Sequence, residues 1–212
     1  MEPALSPDRQ SVFLNIPFDR RYAPMFTALV AGLTALGRKP HCALEVPSSG
    51  RHRLDRLLEL IASCGASVHD LSRISLSRST RVPRFNMPFE LGLTYAVSRL
   101  TTREHSLFVL EEKPWRLQAS LSDMNGHDPH IHGGTQIGML RCMLDCFGRP
   151  GGEPPLPTLR ALARRLAPIV AALEREQAVS DPFHPSLFRQ IVDVASELAR
   201  LEGLIPPLPP TP

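Results

Sequence analysis

No two cysteines in this 212-residue sequence stand at CxxC spacing. Cys42, Cys64, Cys142 and Cys146 are too few and too scattered for the disulfide framework of a secreted scaffold. They read as free thiols in a reducing compartment, with Cys142 and Cys146 packed four residues apart on a helix that has no histidine in step. The N-terminal MEPALSPDRQ lacks the apolar core of a signal peptide. The longest apolar run, MFTALVAGLTAL, is too short and too interrupted to span a bilayer. A cytoplasmic protein with no membrane association is therefore expected. Net charge is only +3, too little to argue for nucleic acid. Walker A, GxGxxG after the first strand and GxSxG are all missing, so ATP hydrolysis, Rossmann hydride transfer and serine hydrolysis lose ground. No cofactor is expected.

What is present is ordinary globular usage, 42% hydrophobic and 21% charged, with proline the outlier at 22 residues. SVFLNIPFD is an apolar run that stops as a buried strand does. Tyr22, Met25, Phe26, Leu29, Leu33 and Leu36 recur at helical spacing, with Gly37 where a C-cap is wanted. PHCALEV reads as a short strand and RHRLDRLLELIASC as an amphipathic helix. ASVHDL is a third strand ending in Asp70, a helix begins near Asn86, and HSLFVLEE is a fourth strand. Continuous apolar strands alternating with helices predict a flavodoxin-like, three-layer α/β domain with a parallel sheet over residues 9–148. TQIGMLRCMLDCF is its last helix. Beyond it come a Pro/Gly linker (149–157), a helical extension (158–203) and a Pro-rich tail (204–212).

In such sheets ligands sit beyond the carboxyl ends of the strands. The segments there are NIPFD, LEVPSSG, HDLSR and EEKPWRLQ. One carboxylate stands out nearby, in RVPRFNMPFELGLTYA. With Asn86 as N-cap, Glu90 ends the first helical turn. A helix-start acid is ordinarily favoured only by the dipole, at about 0.3–1 kcal/mol. Here Met87, Phe89, Leu91 and Leu93 surround it. Gly92, a poor helix residue, suits a place where something approaches the backbone closely. An ionised carboxylate in an apolar crevice can attack C1′ of a ribosyl group or stabilise an oxocarbenium ion. Asp70, or alternatively Asp19, would supply a second acid.

VFLNIPFDRRY, ALE, RLDRLLELIASCGASVHDLSR and PRFNMPFELGL resemble the nucleoside 2-deoxyribosyltransferase-like and TIR-like superfamily, over roughly residues 11–146. The resemblance implies Glu90, in its Glu-Leu-Gly context, as nucleophile and Asp70 as a sugar-site residue. Phe18 and Tyr22 would line the pocket, together with Asn15 and Asp19 from the same segment. It implies a nucleotide or NAD as the small molecule, and N-glycosidase or ribosyl-transfer activity, as in deoxyribosyltransferases and TIR-type NADases. The chain carries RFNMPFE where the transferases have a Ser/Gly/Thr-rich turn. That departure favours an alternative: a non-catalytic nucleotide-sensing or scaffold module, of the sort found in bacterial defence.

The remaining constellations have two readings each. Arg73, Arg78, Arg81 and Arg84 are either a solvated loop or a phosphate clamp. Trp115 and Gln118 stack on and bond a base, or Trp115 is partial core. His127, His130 and His132, beside Asp123 and Asp128, form a polar lid rather than a metal site, with Asp123 and His132 reaching a ligand. Asn86, Gly92, Trp115 and Asp123 join the candidate binding residues. The helical extension either folds back on the α/β domain or supports a homodimer, and the crevice's exposed loop favours the dimer.

Overall fold

The structure, a computed structural model, describes residues 8–46, 53–74, 84–100, 104–124, 126–179 and 182–207. Arg78 and Arg81, and residues 208–212 of the tail, lie outside this set. By packing, the chain falls into two units: residues 1–17 with 40–133, and residues 18–39 with 134–212.

The first unit holds a five-stranded sheet of order β2-β1-β3-β4-β5. Its strands are β1 (Asp8–Asn15), β2 (Lys39–Cys42), β3 (Cys64–Asp70), β4 (Ser106–Glu111) and β5 (His130–Ile131). The pairs β1/β3, β3/β4 and β4/β5 are parallel. This is the flavodoxin-like order, with its topological switch between β1 and β3. The α/β fold expected from the alternation of apolar runs is the fold found. Gly65 has a packing reason: a Cβ there would lie 2.8 Å from Arg9 Cα, where the β1/β3 register shifts.

Helices α2 (Arg53–Ser63) and α3 (Asn86–Leu100) pack on this sheet and on each other. Phe13, Leu57, Ile61 and Cys64 form one core cluster. Leu71, Met87, Leu91, Val109 and Leu117 form a second, beside the short helix α4 (Arg116–Ser120). PHCALEV is strand only as far as Cys42. There the Glu45 carboxylate accepts the Cys42 N–H at 3.0 Å and folds Ala43–Glu45 into a 3-10 turn. Nor is Asn86 the cap of α3: the Phe85 carbonyl accepts the first helical bond, from Phe89 N at 3.0 Å, which makes Phe85 the cap. Pro88 then occupies the third helical position, where its missing N–H costs nothing. The segment after β4 carries short elements of its own: α4, a 3-10 turn at Ser122–Met124, and β5.

The second unit is helical. Helix α1 (Ala23–Ala35) is buried at every position from Met25 to Ala35 and packs against α5 (Gln136–Phe147), α6 (Leu156–Glu176) and α7 (Pro185–Leu201). Phe26 packs between Phe183 and Phe188 with its ring tilted to both, the centroids at 5.2 and 5.9 Å. Composition set the extension apart at the 149–157 linker, whereas packing joins it to α1 and α5. The apolar faces of α6 and α7 are what cover α1. Gly37 ends α1 as its sequence position suggested, at φ 69°, with Arg38 N bonded to the Leu33 carbonyl at 2.9 Å.

Candidate functional site

The site grows from the switch point. Asn15 closes β1, buried, and spends both amide hydrogens: one on His69 Nδ1 at 2.9 Å, one on the Met87 carbonyl at 2.8 Å. The second bond anchors the first turn of α3 beside the carboxyl ends of β1 and β3. Because Nδ1 of His69 accepts, its proton sits on Nε2, and that buried N–H has no hydrogen-bond partner. Burial, with His105 adding to it, pulls His69 down to about 3, so the ring is neutral. His105 is likewise lowered by burial; it bonds the Cys64 carbonyl at 3.0 Å and Ser67 Oγ at 3.1 Å.

Glu90 stands on α3, half-buried. Burial pushes its carboxyl up to about 7, against the pull of Arg53. Burial raises the Cys42 thiol as well, and among the smaller causes the charges of Glu45 and Glu90 add to it, which puts Glu90 within electrostatic reach of the end of β2. Gly92 is exposed, and a Cβ there would meet nothing within 4 Å. A glycine in a helix interior costs about 1 kcal/mol relative to alanine, and no packing among the described residues explains this one.

A second group gathers at the carboxyl ends of β3, β4 and β5. Asp70 is fully buried; it accepts Ser72 N at 3.0 Å, and His132 Nε2 lies 3.4 Å from Oδ1 and 3.3 Å from Oδ2. The His132 N–H bonds the Glu111 carbonyl at 3.0 Å. Glu111 is also fully buried, yet neither carboxyl oxygen has a hydrogen-bond partner. Arg116 Nη1 lies 3.7 Å from Glu111 Oε2 but donates to the Ser72 carbonyl at 2.8 Å. Burial raises the Glu111 carboxyl, Arg116 opposes the rise, and Asp70 adds to it.

The expected site residues divide between the two units. Asn15, Asp70, Glu90 and Gly92 belong to the sheet-bearing unit, with Arg73 half-buried and Arg84, Asn86 and Asp123 exposed. Trp115 is 77% exposed, so it is not core, and it holds a left-handed backbone at φ 68°. Phe18, Asp19 and Tyr22 belong to the helical unit. There Phe18 lies against Phe183 at 5.5 Å, Asp19 caps the 3-10 turn at Arg20–Tyr22, and Tyr22 is buried. His127 meets the Tyr95 ring edge-on at 5.7 Å, and His130 lies 6.0 Å from Phe108. Among the described residues no three His, Cys, Asp or Glu side chains converge as metal ligands. Sequence reasoning missed Glu111, Arg116 and His69. Glu111 carried the signal already used for Asp70, an acid that ends an apolar strand run.

Family models, curated proteins and solved structures offer no match to this chain.

Proposed function

We propose that the protein is an N-glycosidase or ribosyl-transfer enzyme acting on the base–ribose bond of a nucleotide or NAD, with Glu90 as the reacting carboxylate. One observation carries the reading. A carboxyl is held half-buried on the helix that follows β3, in a flavodoxin-order sheet whose ligand crevice lies at the β1/β3 ends. Burial leaves an ionised Glu90 poorly solvated and therefore reactive toward C1′. Its oxygen forms the bond to C1′ as the base leaves with the bonding pair. Water, or an acceptor in the transferase case, then takes the ribosyl group. Asp70 positions ribose through Ser72 and His132, which it holds, and Arg73 or Arg84 holds phosphate. No helix among the described residues is long and apolar enough to cross a membrane. The reading includes a homodimer.

The test is chromatography of a nucleotide panel, NAD included, after incubation with the purified chain. Free base should appear with the wild type and not with Glu90→Gln, which should melt as a folded protein. No free base from any member would leave the second reading, a nucleotide-binding module that does not cleave. The observation that favours that reading is Asp70 itself, which is sealed from solvent and already engaged by His132 and Ser72. If the arginines hold phosphate, Arg73→Ala and Arg84→Ala should each weaken nucleotide binding tenfold or more, the worth of a charge-assisted bond at about 1.5–3 kcal/mol. The matching nucleoside should be little affected. Equal losses for both ligands would remove the phosphate role.

A further inference from the structure

Two acids end neighbouring strands, Asp70 on β3 and Glu111 on β4, and they turn to opposite sides of the sheet. Val109 packs with Met87 and Leu91 of α3, so that side of β4 faces α3. Side chains alternate along a strand, so Glu111, two residues further on, turns to the same side. Asp70 is in register with Leu110 and turns to the other. Glu111 is therefore the strand-end acid on the face covered by the helix of Glu90. The two also differ in what they have left to offer. Asp70 accepts from Ser72 N and lies against His132 Nε2. Glu111 is sealed from solvent, and its two oxygens accept no hydrogen bond from any described residue. A buried acceptor left unmet is costly, and native chains keep few of them without a use. Arg116 Nη1 does not fill the gap: it stands 3.7 Å from Oε2 and donates to the Ser72 carbonyl at 2.8 Å. With its side chain 33% exposed, Arg116 has room to move aside. It follows directly on Trp115, whose left-handed backbone, φ 68°, is strain of the sort kept at ligand-binding turns.

We propose that Glu111 receives the 2′- and 3′-hydroxyls of the substrate's ribose, one on each oxygen, as Arg116 moves aside. This rests on the ribosyl reading of the crevice and deepens it: the substrate is a ribonucleotide rather than a 2′-deoxyribonucleotide. The class of donor follows from the charges. An ammonium or metal ion would meet the Arg116 guanidinium at the same oxygen, whereas a pair of neutral O–H groups would not. A carboxylate at a strand end holds ribose hydroxyls in many parallel α/β sheets. Asp70 then acts at one remove, by fixing Ser72, whose carbonyl anchors Arg116.

The test is calorimetric binding of AMP, GMP, CMP, UMP and NAD, each beside its 2′-deoxyribosyl counterpart, to the full-length chain. It is run on wild type and on Glu90→Gln, which does not consume the ligand. A member that binds should do so about tenfold or more tightly with ribose, because a site built for a hydroxyl rejects the analogue that lacks it. Glu111→Gln keeps one acceptor oxygen and should shrink that ratio; Glu111→Leu keeps none and should remove it. Both variants should melt no lower than wild type, since an unmet buried carboxyl is gone. A merely structural acid would do the reverse, losing stability with the ratio intact. Equal binding of both sugars would overturn the proposal and leave the Glu111 oxygens to water. So would a ribose preference that survives Glu111→Leu, or no binding by any member. Ribose-selective binding without free base would sink the glycosidase reading alone, and base release from both sugars alike would sink this proposal alone.

Discussion

Glu90, Asp70 and Glu111 are three acids in one unit with three different environments, and substitution should separate them. Glu90 has a folded-state value of about 7, above the ordinary 4.5, so the folded state holds the proton more tightly. The stability it contributes is complete below pH 4.5 and is lost as pH rises through 7. Denaturant melts should show the wild type weakening between pH 5 and 8, by at most about 3 kcal/mol, and Glu90→Gln flattening that slope. Identical slopes would mean that the carboxyl is solvated. Asp70→Asn should cost about 1–3 kcal/mol, because Asp70 accepts from His132 and Ser72. Its effect on rate should be milder than that of Glu90→Gln, since an amide retains part of the orienting role. Glu111→Gln removes a buried carboxyl that has no hydrogen-bond donor, so at pH 8 it should be neutral or stabilising. A loss matching that of Asp70→Asn would show that Arg116 is a full partner to Glu111. Residue by residue, the sequence showed acids at strand and helix ends; it did not show which would be satisfied. That depends on Ser72, Arg116 and His132, which reach the acids from separate segments.

Elements were the most legible scale. The apolar runs that became β1, β3 and β4 are strands whose carboxyl-terminal residues are buried, and Gly37 stops α1 because it accepts a left-handed backbone. The misreadings lie at ends, where single bonds decide: Glu45 turns the chain out of β2, and the bond from Phe89 N to the Phe85 carbonyl puts the cap of α3 at Phe85. Helix α6 ends like α1, with Val179 N bonded to the Glu174 carbonyl at 3.0 Å, but the left-handed position is Ala178 at φ 52°. Ala178→Gly should therefore stabilise the chain by roughly 0.5–1 kcal/mol. A lower melting temperature for that variant would mean that unfolded-state entropy outweighs the relief of strain.

At the scale of the whole molecule, composition marked a linker at 149–157, and it could not show that α1 depends on the helices beyond that linker. The apolar stripes of α6 and α7 were visible, whereas their partner lay more than a hundred residues upstream. Truncation after Gly148 should leave α1 covered by α5 alone, and a chain so shortened should aggregate or lose its cooperative melt. Phe188→Ala should cost about 3–5 kcal/mol in the full chain. A truncated chain with an unchanged melt would show that α1 is stable without α6 and α7.

The discontinuous helical unit also sets a timetable for synthesis. Helix α1 leaves the ribosome early, yet its covering helices α5, α6 and α7 are encoded only from Gln136 onward. At about 5–20 residues per second, an apolar helix waits for several seconds or more before its partners exist. During that interval MFTALVAGLTA is a ready chaperone substrate and an aggregation hazard, and closing so distant a contact slows folding further. Yield of the native chain should therefore depend on translation speed and holdase supply more than its final stability would suggest.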